Sequence, residues 1–241
     1  MRRASDQAVF PVAILAGGLA TRMRPLTERI PKALIEVAGR PFVEHQLELL
    51  QREGVRRVVL CVGYLGEMVR DCVGDGARFG LSVSYSFDGE CLLGTGGALR
   101  RALPLLGPDF FVLYGDSYLD IDYAPVQTAY RDSGKPALMT VFRNEGRWDT
   151  SNVLFDGKTV IRYDKRHPVA EMKFIDYGLG VLSGDLISGA ENEAFDLSDL
   201  YATLASEGRL AGFEATTRFY EIGTPSGLAE ADSHLRGNQQ R

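Results

Sequence analysis

The chain has 241 residues, of which 45% are hydrophobic, so it is long enough to bury one large core, and we expect a single domain. Its formal net charge of -5 excludes a basic field that would attract nucleic acid or an anionic membrane, so any phosphate site must be local. The three cysteines lack the spacing of a zinc site, and the absence of a membrane helix or secretory signal predicts a cytoplasmic protein.

The first half of the chain alternates apolar, partly β-branched runs with helical periodicity, which is typical of βαβ units. Strands are predicted at 12–16, 57–62, 81–86 and 110–114. Helices are predicted from about Pro41 to a stop at Gly54, over 65–72 and over 95–106. The sequence therefore predicts an α/β fold with a Rossmann-like mixed, mostly parallel sheet flanked by helices.

The second half carries shorter apolar runs that turn residues separate, which favours mixed or antiparallel strands. These runs lie at 137–142, 153–155, 159–163 and 174–182. One more amphipathic helix is predicted around Tyr201, with Ser198 as its cap and Gly208 at its close. Residues 237–241 are predicted to be frayed.

Residues 15–41 carry the strongest functional signal, because a predicted buried strand runs into Gly17 and Gly18 and then into Arg22, Arg24 and Lys32. Glycine lets backbone N–H groups approach phosphate oxygens, and the basic side chains neutralise a polyphosphate. The segment lacks both the GxxxxGK[ST] spacing of a P-loop and a GxGxxG pattern, which disfavours an ATPase or a dinucleotide-binding protein.

The same segment, LAGGLATRMRPLTERIPKALIEVAGRP, resembles the signature of the sugar-nucleotidyltransferase family, usually written LAGGxGTRLxPLTxxxPKxLxPVxGKP. The resemblance implies that Arg22 stabilises the departing pyrophosphate and that Lys32 contacts phosphate. It also implies that the loop backbone wraps the triphosphate, with nucleotide contacts from Leu15, Ala16, Gly17, Gly18 and Thr21. One departure is Ala20, where the family signature has the last glycine of GGxG, so we expect this loop to close slightly less tightly at that point.

The segment ECLLGTGGAL at 90–99 places glycines before a predicted helix, so free N–H groups and a positive dipole end are expected to face a ligand. The resemblance implies that this stretch binds base and ribose, with contacts from Glu90, Gly94, Thr95 and Gly96. Without the resemblance, a helix-opening turn that binds no ligand is the alternative.

Asp116 follows a predicted apolar strand, so its carboxylate is expected at the carboxyl end of that strand, beside the glycines. Mg²⁺ prefers one or two carboxylates together with phosphate oxygens and water. The resemblance implies that Asp116 binds Mg²⁺ and that Glu221, where the family more often has Asp, supplies the second carboxylate.

The resemblance also assigns an acceptor site to the second half of the chain. Lys165, in the pair Asp164-Lys165, is expected to hold the phosphate of the sugar 1-phosphate. Residues 137–222 are expected to contribute the sugar-binding part of the single domain 1–241. The candidate sugar contacts are Asn152, Asp164, Asp176, Tyr177 and Gly178.

These residues suit an in-line displacement, because a sugar 1-phosphate oxygen is already anionic and needs no general base. The predicted catalytic residues are Arg22, Lys32, Asp116 and Lys165. The reaction expected from the resemblance joins a nucleoside triphosphate to a sugar 1-phosphate, giving an NDP-sugar and pyrophosphate, with Mg²⁺ as cofactor.

The segments LGTGGAL, GDSYLDID and FYEIGTP most resemble bacterial D-glycero-D-manno-heptose 1-phosphate guanylyltransferases, followed by muramate 1-phosphate uridylyltransferases. The expected substrates are therefore GTP and a manno-configured heptose or hexose 1-phosphate. Two alternatives stay open: uridylyl or cytidylyl transfer to another sugar phosphate or phosphocholine, and a nucleotide-sensing domain without catalysis. The sequence is compatible with a homo-oligomer, and no nucleic-acid or membrane partner is expected.

Overall fold

The computed structural model describes residues 8–89, 93–190 and 192–239. In the first half, strands alternate with helices. The strands are β1 (Val12–Leu15), β2 (Glu36–Val37), β3 (Arg40–Pro41), β4 (Arg57–Val62), β5 (Ser82–Phe87), β6 (Asp109–Tyr114) and β7 (Ser117–Tyr118). The α-helices are α1 (Phe42–Arg52), α2 (Gly66–Val73), α3 (Gly94–Ala102) and α4 (Tyr123–Ser133). Short 3-10 helices lie at Thr21–Met23, Leu26–Glu28, Lys32–Leu34, Ala77–Phe79 and Leu103–Leu105.

The second half is richer in strands. They are β8 (Ala137–Arg143), β9 (Val153–Phe155), β10 (Val160–Tyr163), β11 (Phe174–Ser183), β12 (Leu210–Ala215) and β13 (Tyr220–Glu221). The helices are α5 (Gly184–Ser188), α6 (Leu197–Ser206) and α7 (Pro225–Gln239). No helix in the described ranges is long and apolar enough to cross a membrane.

Within the described residues, nine strands form one mixed sheet, in which seven follow the order β10-β9-β11-β6-β1-β4-β5 and β8 joins β11 to β12. The block β6-β1-β4-β5 is parallel, so the carboxyl ends of these four strands meet at one edge. Strand β11 runs antiparallel to both β6 and β8. This architecture confirms the predicted α/β fold with a mixed sheet flanked by helices.

The two faces of the sheet are buried against different helices because successive strand residues point to opposite sides. In β1, Val12 and Ile14 pack with residues of α1, α2 and α4, whereas Ala13 packs with residues of α3 and α6. A third apolar cluster joins α7 to α1, to β7 and to Ile222. This last cluster braces the segments that carry Asp116 and Glu221.

Strand β11 changes partner partway along its length, and this change opens the sheet beside β6. Its pairing with β6 begins at Leu179, while the earlier residues pair with β8 and β9. The register with β8 shifts between Asp176 and Gly180, and Gly178 there has a φ of 95°. Such bulges redirect side chains. Here the irregularity leaves Asp176 and Tyr177 along a gap next to the end of β6.

Three element predictions differ from the structure. Ser198 lies inside α6 rather than at its cap, since Asp196 occupies the N-cap position. The helix predicted over 95–106 ends at Ala102, where Pro104 enforces a 3-10 turn. Residues 237–239, predicted to be frayed, complete α7.

Gly115 allows β1 and β6 to approach each other at their carboxyl ends. A Cβ atom at this position would lie 2.5 Å from the Leu15 carbonyl oxygen and 3.0 Å from the Ala16 Cα, both backbone atoms that cannot rotate away. We expect Gly115→Ala to lower the free energy of unfolding by about 2 kcal/mol. Urea denaturation measures the change. In the control Gly107→Ala, whose Cβ would meet Arg57 Nη2 at 3.6 Å, we expect a change within about 0.5 kcal/mol. Equal stability of the two variants would contradict this role for Gly115.

Candidate active site

A cavity of about 320 Å³ lies at the carboxyl edge of the parallel strands, and we call it the glycine-loop cavity. Its lining residues come from the loop after β1, from the ends of β4, β5 and β6 and from the start of α3. They are Leu15, Ala16, Gly17, Gly18, Ala20, Lys32, Ala33, Cys61, Asp88, Gly94, Thr95, Ala98, Tyr114, Gly115, Asp116 and Asp196. The structure thus brings most of the predicted nucleotide contacts together. Thr21 and Gly96 do not line this cavity, and Glu90 lies outside the described residues.

Ala20 occupies the left-handed backbone region, with φ 49° and ψ 44°. A residue with a Cβ atom is disfavoured there, which explains physically why a glycine suits this position. The carbonyl of Ala20 accepts a hydrogen bond from Thr27 Oγ1 at 2.9 Å. The loop therefore keeps this conformation without the last glycine of the GGxG stretch in the signature.

The N-terminal end of α3 is capped by the chain itself, which corrects the expectation of free N–H groups there. The carbonyl of Phe195 accepts hydrogen bonds from Gly96 N at 2.9 Å and Gly97 N at 3.2 Å. A Cβ atom on Gly96 would lie 2.1 Å from the Phe195 ring. Gly96 therefore permits close packing of the segment before α6, whereas Gly94 and Thr95 face the cavity.

A second cavity, of about 410 Å³, occupies the gap beside β11, and we call it the β11 cavity. Its lining residues come from the end of β6, the loop before β9 and the bulged part of β11. They are Arg22, Tyr114, Asp116, Ser117, Asp149, Thr150, Asn152, Lys165, Ile175, Asp176, Tyr177, Gly178, Phe219 and Glu221. Tyr114 and Asp116 line both cavities, so the two adjoin at the end of β6.

Lys32 and Asp116 form an ion pair at this junction, with Nζ 2.9 Å from Oδ2. Both side chains are partly exposed, at 18% and 24%, so each can still contact a ligand. Arg22 reaches the junction from the glycine-rich side. A Cβ atom on Gly223 would lie 3.6 Å from Asp116 Oδ2 and 3.7 Å from Arg22 Nη2, which places these two groups around the same small glycine.

Lys165 lies on the opposite wall of the β11 cavity. Its Nζ is 3.4 Å from Asp176 Oδ2 and stands over the rings of Tyr114 and Tyr163, at 5.3 Å and 5.6 Å from their centroids. The Asp176 carboxylate also accepts hydrogen bonds from Tyr163 OH and from Gly178 N, both at 3.1 Å. The Asp176 side chain is only 4% exposed, whereas that of Lys165 is about half exposed. The buried carboxylate therefore holds the ammonium group of Lys165 at the cavity.

Two predicted sugar contacts use their side chains mainly within the protein. Asn152 lines the β11 cavity, but its Oδ1 accepts a hydrogen bond from Asp176 N at 3.0 Å. Asp164 does not line the cavity, because its carboxylate accepts hydrogen bonds from Arg166 N at 3.0 Å and His167 N at 2.8 Å in an exposed turn. Its contact with a sugar stays a prediction.

Asp116 directly precedes β7 and lies beside Glu221, because Glu221 in β13 pairs with Ser117 in β7 and Ile222 N donates to the Asp116 carbonyl at 2.9 Å. Burial raises the pKa of the Glu221 carboxyl, and the nearby charges of Asp116 and Asp149 raise it further. In the part of the chain that the structure describes, no group of three or more His, Cys, Asp or Glu side chains is placed to hold a metal ion. One or two carboxylates are nevertheless the protein ligands that Mg²⁺ prefers, since it takes water and phosphate oxygens as its further ligands.

Sequence reasoning missed several polar residues that line the cavities, among them Asp88 and Asp196 in the glycine-loop cavity and Asp149 and Thr150 in the β11 cavity. Asp88 lies two residues after the predicted strand 81–86, and this position near a strand end is a signal that could have identified it. Asp196 is 101 residues from Thr95 in the chain and carries no local signal.

Residues 12–151 match the nucleotidyl transferase family, and the chain belongs to this family. The matched part contains the whole glycine-rich segment, β6 and Asp116. The fold, with a glycine-rich loop at the carboxyl edge of a parallel sheet, agrees with this assignment.

Particular relatives differ in the nucleotide that their names state. The chain is 30% identical to the mannose-1-phosphate guanylyltransferase catalytic subunit beta of Danio rerio over 88% of its own length and spans 61% of that protein. It is 28% identical to the N-acetylmuramate alpha-1-phosphate uridylyltransferase of Caulobacter vibrioides over 95% of its length, spanning 98% of that protein.

Solved structures support the same fold. The crystal structure of HddC from Yersinia pseudotuberculosis complexed with GMP-PN superposes with a TM-score of 0.78 at 25% identity, covering 94% of this chain and 99% of that chain. A putative glucose-1-phosphate thymidylyltransferase from Bacillus anthracis gives a TM-score of 0.82 at 19% identity, covering 94% of this chain and 95% of that chain. The second comparison bears on the fold alone.

Proposed function

We propose that the protein transfers a nucleotidyl group from a nucleoside triphosphate to a sugar 1-phosphate, releasing pyrophosphate. The observation that carries this proposal is the junction of the two cavities at Tyr114 and Asp116. A group that leaves the occupant of one cavity can join the occupant of the other only at such a junction. A sensor that binds a nucleotide alone needs no second polar cavity with a lysine held in place, which disfavours that alternative.

The reaction requires alignment and charge stabilisation rather than proton transfer. The acceptor oxygen is already anionic, so the absence of a histidine in either described cavity lining is compatible with catalysis. Lys165 holds the acceptor phosphate in the β11 cavity. Lys32, which lines the glycine-loop cavity, and Arg22, which lines the β11 cavity beside Asp116, stabilise the triphosphate and the departing pyrophosphate at the junction.

Asp116 and Glu221 are the residues that would hold Mg²⁺. When bound, the ion neutralises phosphate charge and fixes phosphate oxygens in place. The pairing of β13 with β7 sets the spacing of the two carboxylates, and the ion pair with Lys32 orients Asp116.

The proposed substrates are GTP and a manno-configured heptose or hexose 1-phosphate. Relatives named as guanylyltransferases and the HddC complex with GMP-PN support this choice. Uridylyl transfer is the second candidate, because the uridylyltransferase relative from Caulobacter vibrioides matches over nearly its whole length. Pyrophosphate release with each of the four NTPs, against a panel of sugar 1-phosphates, tests the proposal. Absence of release with every pair would overturn it.

Lys165→Ala is expected to raise the KM for the sugar phosphate by about 10- to 100-fold, because a charge-assisted contact to phosphate contributes about 1.5–3 kcal/mol. The KM for the nucleotide should change much less, since Lys165 lines only the β11 cavity. Steady-state kinetics with each substrate varied in turn measures both constants. The control Lys158→Ala removes an exposed lysine outside both cavities and should alter neither constant. Equal rises in both KM values for Lys165→Ala would contradict the assignment.

A further inference from the structure

Asp88 is a buried carboxylate that the proposed chemistry leaves unused. It lines the glycine-loop cavity with only 7% of the residue exposed. Its backbone is fixed on both sides, because Asp88 N donates to the Val62 carbonyl at 2.9 Å and Arg101 Nη1 donates to the Asp88 carbonyl at 2.9 Å. The side chain is therefore presented to the cavity from a rigid strand end.

Asp88 and Asp116 stand at opposite ends of the row of parallel strands. Asp88 follows β5 and Asp116 follows β6, and β4 and β1 lie between these two strands. Three strand spacings of about 4.8 Å separate their ends by about 14 Å. If the reacting phosphorus lies at the junction beside Asp116, as the proposed function requires, a nucleotide that follows this edge of the sheet would extend its base toward Asp88.

The Asp88 carboxylate is buried, so its oxygens are stabilised only if they accept hydrogen bonds from nearby donors. Burial raises the pKa of Asp88, while the Leu93 backbone N–H and the charge of Arg101 lower it by less. The neighbouring cavity wall is formed by Gly17, Cys61 and Ala98, and burial raises the pKa of the Cys61 thiol to about 12, so it adds no charge. A Cβ atom on Gly17 would lie 3.3 Å from Asp88 Oδ2, which places that oxygen against the glycine-rich loop.

We propose that Asp88 selects guanine by accepting hydrogen bonds from its N1–H and its 2-amino group. This inference rests on the proposed function, which supplies the nucleotide. The two oxygens of a carboxylate accept from two adjacent donors, and among the four bases only guanine offers two donors side by side on that edge. Uracil presents one N–H between two carbonyl oxygens, so one carboxylate oxygen would face an acceptor. Cytosine and adenine place a ring-nitrogen acceptor beside the amino group, so one carboxylate oxygen would again face an acceptor.

The first test uses the wild-type protein with ITP, which differs from GTP only by the missing 2-amino group. We expect kcat/KM for ITP to be roughly 10- to 100-fold lower than for GTP, because one buried carboxylate oxygen loses its donor. UTP, CTP and ATP should fall further. Equal use of ITP and GTP, or a preference for UTP, would overturn the role of Asp88 while leaving nucleotidyl transfer itself established.

The second test inverts the preference with Asp88→Asn. An amide offers one acceptor and one donor, which complements xanthine, whose carbonyl replaces the 2-amino group. We expect the ratio of kcat/KM for GTP to that for XTP to fall by roughly 100-fold or more relative to wild type. The control Asp196→Asn makes the same change at another carboxylate of this cavity and should leave that ratio unchanged. An unchanged ratio in Asp88→Asn would refute the proposal.

Calorimetric titration separates failure of this inference from failure of the proposed function. If no acceptor gives turnover, binding of GTP, ITP and XTP to the wild-type protein still measures base selection. A binding preference for GTP over ITP by the same factor supports Asp88 without any catalysis. Equal binding of all three nucleotides rejects it.

Discussion

Replacing Asp116 by asparagine is expected to lower kcat by about 10³-fold or more. The carboxylate lies at the junction of both cavities, where it would bind Mg²⁺ and where it orients Lys32. Without this carboxylate the protein would hold Mg²⁺ less well, and the positive charge that the ion would supply to the phosphates is typically worth several kcal/mol. Pyrophosphate release at saturating substrates measures kcat, and the reverse reaction with pyrophosphate should slow by the same factor.

The fold of this variant should survive, because the Asp116 side chain is partly exposed and its ion pair contributes about 1 kcal/mol or less. The control Asp120→Asn breaks an ion pair with Arg52 outside both cavities and should retain full activity. Wild-type turnover by Asp116→Asn in the presence of Mg²⁺ would refute the assignment of Asp116.

Arg22→Ala and Arg22→Lys are both expected to lower kcat by roughly 30- to 1,000-fold, corresponding to about 2–4 kcal/mol. The guanidinium lies at the junction near Asp116, where charge develops on the departing pyrophosphate. Lysine keeps the charge but loses the planar fork that engages two oxygens at once, so even this mild change should be costly. Steady-state kinetics in both directions separates kcat from the KM for the nucleotide.

A control for Arg22 is available in the same stretch of chain. Arg29 is exposed and lines neither cavity, so Arg29→Ala should keep both constants near wild type. If the two Arg22 variants keep the wild-type kcat and only raise the KM for the nucleotide, Arg22 is an anchor for binding and its assignment to the departing group is wrong.

The parallel half of the sheet could be predicted because its strands are short, continuous apolar runs. Arg57–Val62 is found with the predicted bounds, and α1 ends before Gly54, whose φ of 84° suits glycine. Strand β12 could not be predicted, since Gly212 and Glu214 interrupt its apolar pattern. Gly212 is there for packing, because a Cβ atom would lie 2.3 Å from the Phe155 ring.

The candidate site could be predicted where function is encoded by a local pattern, as in the glycine-rich loop and at Asp116. The parts of the candidate site that depend on packing between distant segments of the chain could not be predicted. The capping of α3 by Phe195 joins two segments about a hundred residues apart. No short sequence motif predicts such a contact. Asp149 reaches the β11 cavity from a loop that Asn144 shapes, through a 2.6 Å hydrogen bond to the Asp149 carbonyl.

The shared wall of Tyr114 and Asp116 also has a consequence for release of the product. The product of the proposed reaction, an NDP-sugar, carries both substrate halves in one molecule, so it would occupy both cavities at once. Two linked groups bind more tightly than either group alone, because the second contact costs little further entropy. This product should therefore inhibit competitively against the nucleotide and against the sugar phosphate, so turnover should fall as the product accumulates.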